Sequence, residues 1–186
     1  MDGSSLRNFN ISVGITEEFM KLASEGKDFN LIDHKGLPVG TMNAGELLNK
    51  IAECSHATGD PGLIFMDRID RDNPTPHIGK LEAVNPCSEQ SLLPSEVCNL
   101  GSINLSKFVS DSKMQWDRLK DTVKDAVHFL DNVIDVNNYP LEQVEIMAKG
   151  NRKIGLGVMG WADMLALLRI PYNSEQAVKL AGDVMG

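Results

Sequence analysis

The run Asn85-Pro86-Cys87-Ser88-Glu89, followed by Cys98-Asn99-Leu100-Gly101-Ser102-Ile103-Asn104-Leu105, decides how this chain is read. It sets an amide, a thiol and a carboxyl group at alternate positions. In an extended or loop backbone alternate side chains project to one side, so one short segment presents all three groups to one small molecule. Pro86 lacks an N–H and holds Asn85 extended, which predicts a stiff loop rather than a helix. Each thiol also has a plainer reading, as a buried cysteine that only packs. A structural disulfide between Cys87 and Cys98 is a third reading.

Outward from this stretch, periodicity and caps predict the remaining elements. Upstream, Asn8 to Ile15 alternates and predicts a strand. Thr16 caps a helix to Ser24. Gly26 to Gly40 reads as loop, being rich in turn residues. Asn43 and Glu46 have capping-box spacing and open a helix to Ala57, with Leu47, Leu48, Ile51 and Ala52 on its face. Asp60-Pro61 predicts a cap and first helical position, with a short helix to Ile69. Asp70 to Leu81 reads as loop. Downstream, Asn85 to Val97 is irregular and Ser102 to Leu105 is a short strand. Gln115 to Val136 is the longest helix, with a stripe of Leu119, Val123, Ala126, Leu130, Val133 and Asn137. Pro140 opens a helix ending near Gly150, Lys153 to Val158 is a buried strand, Trp161 to Leu168 is a helix, and Asn173 caps a last one. Strands separated by helices predict an α/β fold with parallel pairing, in a single domain over 1–186.

Composition narrows the function. The chain has 186 residues, 42% hydrophobic and 24% charged, as in ordinary globular proteins. A net charge of −8 argues against a nucleic-acid or anionic-membrane surface. No run has the apolar length of a membrane span, and Met1-Asp2-Gly3-Ser4-Ser5 does not read as a secretory leader. Three cysteines without close pairs predict a reducing, cytoplasmic setting.

Two other motifs invite a chemical reading. Cys54 and His56 stand two residues apart in a helix, where they face different ways, and the other ligands of a zinc site are missing; no metal site is expected. Gly155-Leu156-Gly157-Val158-Met159-Gly160 matches a dinucleotide-binding pattern, with Glu175 beyond it. Glu175 falls in a predicted helix rather than on a second strand, so the glycines read better as a close approach of a strand to a loop. A nicotinamide-dependent oxidoreductase is the alternative that this pattern supports. The alternating charges of Asp117 to Asp131 read as a solvated helix face.

The two cysteine stretches closely resemble the catalytic core of the ribonucleotide reductase large chain, most like the adenosylcobalamin-dependent class. Asn8-Phe9-Asn10-Ile11-Ser12-Val13, Gly59-Asp60-Pro61-Gly62, Arg71-Asp72-Asn73-Pro74 and Arg152-Lys153-Ile154-Gly155-Leu156-Gly157-Val158-Met159-Gly160 agree with it, in order. The family usually has Gly where this chain has Ser88. The resemblance implies part of a ten-stranded α/β barrel, with the cysteine loop inserted in it, and an internal piece of a longer reductase. It implies a thiyl radical at Cys87, a general base at Glu89 and sugar binding at Asn85, within a substrate-binding run Asn85, Pro86, Cys87, Ser88 and Glu89. Cys98 is implied as half of a redox dithiol whose partner lies outside the chain. Also implied are adenosylcobalamin as cofactor, a ribonucleotide substrate, a thioredoxin-like reductant, the remaining reductase parts as partners, and a homo-oligomer. Deoxyribonucleotide synthesis for DNA replication is the expected role, with the isolated chain inactive. A non-catalytic piece that assembles with complementary chains is the rival expectation.

Overall fold

The computed structural model describes residues 9–186. Met1 to Asn8, with the leader reading and the start of the predicted first strand, lie outside the described residues. Two compact units divide the chain, one ending at Pro94 and one running Ser95–Gly186.

The first unit runs β1 (Ser12–Ile15), α1 (Glu17–Ser24), β2 (Asp28–Ile32), β3 (Pro38–Asn43), α2 (Ala44–Thr58), β4 (Gly62–Phe65), α3 (Met66–Arg71), β5 (Ala83–Val84) and β6 (Ser91–Leu92). Thr16 caps α1 as expected, its Oγ1 accepting from Phe19 N at 3.1 Å. Asn43 Oδ1 accepts from Glu46 N at 3.1 Å to start α2, and Gly59 ends it at φ 85°. Ala52, placed on the inner face by periodicity, is exposed, while Ala44 and Ile51 are buried.

Two expectations fail here. Gly26 to Gly40 is not a loop: β2 and β3 pair antiparallel, from Asp28↔Asn43 to Leu31↔Gly40. Their turn is tied by Asp33 Oδ1, which accepts from Lys35 N at 2.8 Å and Leu37 N at 2.9 Å, with Gly36 at φ 79°. Turn residues at both ends of the hairpin hid the alternation of half-buried Phe29 and Leu31 between them. Nor does Asp60-Pro61 open a helix. Its peptide bond is cis, and the following Gly62-Leu63-Ile64-Phe65 pairs in parallel with β1 as β4, the helix waiting until Met66. That strand run was too short for its periodicity to outweigh the Asp-Pro cap signal.

The second unit runs β7 (Asn99–Asn104), a 3₁₀ turn (Leu105–Phe108), β8 (Val109–Ser110), β9 (Lys113–Met114), α4 (Trp116–Val136), α5 (Glu142–Asn151), β10 (Ile154–Met159), α6 (Trp161–Leu168) and α7 (Glu175–Met185). β7 and β10 pair in parallel over six positions, Asn99↔Ile154 to Asn104↔Met159. The core gathers Ile103, Leu105, Phe108, Leu119, Met164, Leu165 and Ala177. Of the predicted α4 stripe, Leu119 and Leu130 are buried, joined by Ile134, whereas Val123 is exposed. Arg152 at φ 49°, not Gly150, ends α5, and Ser174, not Asn173, caps α7, its Oγ accepting from Ala177 N at 3.2 Å. The Lys153-to-Val158 strand exists but is not buried: β10 is half-buried at its start, and Val158 and Met159 are exposed.

The parallel pairs β1–β4 and β7–β10 agree with the α/β expectation. All strands lie in five two-stranded ladders, so no closed barrel forms among the described residues.

Candidate active site

Asn85 to Gln90 is the loop between β5 and β6, whose pairs Ala83↔Leu92 and Val84↔Ser91 bring its ends together. The loop expected from the sequence is closed as a turn. Ser88 N donates to Asn85 O at 2.9 Å, which puts Pro86 at the second turn position, where its fixed φ fits. Asn85 N donates to Gln90 O at 3.2 Å, and Asn85 Oδ1 accepts from Gln90 N at 3.1 Å. Asn85 thus spends its amide oxygen on closing the loop, while its amide nitrogen donates no hydrogen bond among the described residues. Ser88 stands at φ 63°, a left-handed conformation that favours glycine. The substitution noted against the family pattern falls on the one residue of the turn with that geometry.

Asn85 is half-buried, and Pro86, Cys87, Ser88 and Glu89 are exposed. The turn therefore offers a thiol and a carboxyl group two residues apart on its open side. Water shielding of Cys87 is not supplied by this unit.

The segment leading into β5 is held by residues that the sequence patterns did not single out as part of a site. Asp70 Oδ1 accepts from Leu81 N at 2.9 Å, just ahead of β5. Asn73 is buried; its Nδ2 donates to Gly79 O at 2.9 Å and its Oδ1 accepts from Thr75 N at 2.9 Å. The Asn73 side chain thus satisfies backbone groups of the 72–81 loop from within it. The signal was present in Arg71-Asp72-Asn73-Pro74, an Asn before a Pro in a polar run.

Cys98 belongs to the second unit, half-buried at the entrance to β7. Its Sγ lies 3.4 Å from Asn99 O, as a weak donor. All three cysteines are thiols. Burial pushes the Cys98 thiol above its ordinary pKa; Lys153 pulls it down and Glu96 pushes it further up. Glu96 is buried, and its carboxylate meets Lys153 Nζ at 2.6 Å and Asn151 Nδ2 at 2.8 Å. The neighbouring Arg152 turns the other way, its Nε 2.7 Å from Asp131 Oδ1 and its Nη1 2.9 Å from Asp135 Oδ1, and holds both carboxyl groups below the usual range. Asp131 is therefore not merely a solvated charge of α4. Neither Glu96 nor Lys153 was read as part of a site, because only the β7–β10 register brings position 153 beside position 98.

The remaining motifs take structural places. Cys54 is half-buried and His56 exposed on α2. Among the described residues no group of three or more His, Cys, Asp or Glu stands close enough to hold a metal ion. Gly160, at φ 68°, lies against the carboxamide of Asn104 where any Cβ would collide, so it serves a close backbone approach at the end of β10. Glu175 opens α7 and lies on no strand.

Over residues 2–186 the chain matches the family described as ribonucleotide reductase, barrel domain. It is 49% identical over 183 residues to a vitamin B12-dependent ribonucleoside-diphosphate reductase of Mycobacterium tuberculosis, across 98% of this chain and 26% of that protein. A protein of the same name from Thermoplasma acidophilum is 48% identical over 182 residues, across 97% and 24%. The ribonucleoside-diphosphate reductase subunit alpha of Chlamydia pneumoniae is 37% identical over 146 residues, across 76% and 14%. The chain thus spans about a quarter of the length of the two most similar of these three.

Proposed function

Since this chain belongs to the ribonucleotide reductase barrel family, we propose that it carries the radical cysteine and one reducing cysteine of an adenosylcobalamin-dependent ribonucleoside-diphosphate reductase. The observation that carries the reading is the exposed Cys87 thiol, two residues from the exposed Glu89 carboxyl group on a hydrogen-bonded turn.

The chemistry divides among the chain's own residues. A thiyl at Cys87 takes the hydrogen atom from ribose carbon 3. Glu89 accepts the proton of the 3′-hydroxyl as general base, which helps the 2′-hydroxyl leave as water. The amide nitrogen of Asn85 holds a sugar hydroxyl, keeping the reacting atoms in register. Cys98 and a second cysteine outside this chain supply two electrons and two protons and close to a disulfide. Cys87 then returns its hydrogen to carbon 3, so that one ribonucleotide and one dithiol give one deoxyribonucleotide, water and one disulfide. A dithiol protein of the thioredoxin kind reopens the disulfide. Three cysteines held as thiols suit a reducing cytoplasm.

Of the residues here, Cys87 is the one that the cofactor must reach, and its exposure fits that demand. Bound to the whole protein, adenosylcobalamin supplies the one-electron oxidant for this thiol. No residue of this chain is assigned to hold the corrin. The 1–186 region is one part of the reductase barrel, completed by the rest of the protein, and a homo-oligomer is compatible with it.

The test uses the full-length reductase and measures free base and deoxynucleotide separately. Cys87→Ser abolishes both, because a serine O–H bond is too strong for the exchange. Cys98→Ser permits the first radical step and then releases base without deoxynucleotide. Glu89→Gln slows turnover by about 10²–10⁴-fold, as for loss of a general base. Equal residual deoxynucleotide formation by Cys87→Ser and Cys98→Ser would show the roles to be assigned wrongly.

A further inference from the structure

Glu96 is the one charged residue among the buried polar side chains of the described chain, and the reaction steps above do not use it. Its side chain is 1% exposed, against 20% for the Lys153 side chain that meets it. Both carboxylate oxygens are engaged, one by Lys153 and one by Asn151. A buried ion pair is a weak source of stability, since desolvation offsets most of the attraction. Its place in the fold suggests a different use. Glu96 precedes Cys98 by two residues. The parallel ladder begins with Asn99 opposite Ile154, so the pair of positions just before it is Cys98 and Lys153.

We propose that Glu96 and Lys153 are positioning residues for Cys98, an opposed pair of charges that keeps it a neutral thiol at rest and steadies its thiolate during re-reduction. The inference rests on the redox role proposed for Cys98. At rest, Glu96 neutralises Lys153, so the cation does not strip the proton that the thiol must deliver. In re-reduction a thiolate of the external dithiol attacks the second sulfur of the disulfide. A mixed disulfide forms there, the old S–S electron pair leaves on Cys98, and the resulting thiolate later takes a proton. Lys153 is the cation whose charge acts on that leaving sulfur. The opposed effects of the two residues on the Cys98 thiol have the signs this requires. Among the described residues, the charges that act on Cys98 are Lys153, just ahead of β10, and Glu96 from the segment before β7; Arg152 is committed to Asp131 and Asp135 on α4.

The experiment follows the rate of Cys98 alkylation by iodoacetamide against pH, read on the Cys98 peptide by mass spectrometry, in the reduced full-length reductase. Glu96→Gln leaves Lys153 uncompensated and lowers the midpoint by about one pH unit, while Lys153→Met raises it by a similar amount. Lys153→Arg keeps the parent midpoint. Shifts in opposite directions are the signature, because a merely structural role would expose the thiol in both variants and move both toward the urea-unfolded control. Movement of both variants in one direction, or of neither, overturns the proposal. Alkylation does not depend on turnover. A failure of the Cys98 redox role therefore appears separately, as deoxynucleotide formation by Cys98→Ser in the full-length protein.

Discussion

Ser88 occupies a backbone conformation that costs an L-residue with a Cβ about 1–2 kcal/mol. Glycine escapes that strain but loses about 0.5–1 kcal/mol through its more flexible unfolded chain. Ser88→Gly should therefore stabilise the first unit by roughly 0.5–1 kcal/mol, read as a higher urea midpoint at unchanged slope. A lower midpoint would mean that the hydroxyl does something in the turn beyond occupying it. At this scale the groups proposed to react could be named from the sequence, because Asn85, Cys87, Glu89 and Cys98 carry amide, thiol and carboxyl chemistry in their own side chains. The residues that set their surroundings could not. Glu96 matters through burial and through Asn151 and Lys153, partners distant in sequence that a linear pattern does not show, whereas Asn73 bonds close by and left only the local signal of an Asn before a Pro.

Among the elements, the helices were easiest to read. Caps at Thr16 and Asn43 and the span of α6 follow from local side-chain chemistry, which needs no tertiary context. Strands were harder, since a short strand is defined by its partner. β2, β3 and β4 were missed for that reason. The glycines on either side of Arg152 show how local a residue's task is. Gly160→Ala puts a Cβ into the Asn104 carboxamide at a positive φ and should cost about 2–4 kcal/mol, combining backbone strain and overpacking. Gly150→Ala, inside α5 with open space around it, should instead gain about 0.5–1 kcal/mol. Equal effects of the two substitutions in thermal unfolding would remove the close approach of β10 to Asn104 from the account of this strand.

On the scale of the whole molecule, open edges and apolar surface dominate. In the second unit Leu100, Phe129, Val158 and Met159 are all exposed, and among the described residues no third strand pairs with the β7–β10 ladder. The chain on its own should therefore self-associate, with sedimentation coefficients that rise across the micromolar range and strong binding of an apolar dye. A concentration-independent monomer with little dye binding would contradict this. Parallel pairing has a further consequence. Cys98 and Lys153 are neighbours through phase, not through proximity in the chain. Extra residues in the connection ahead of α4 would leave them side by side, whereas one residue inserted between Lys153 and Ile154 would turn the lysine to the opposite face. The entrance to β10 behaves like a reading frame: the long connection from β7 can drift in length over evolutionary time, and these few positions cannot.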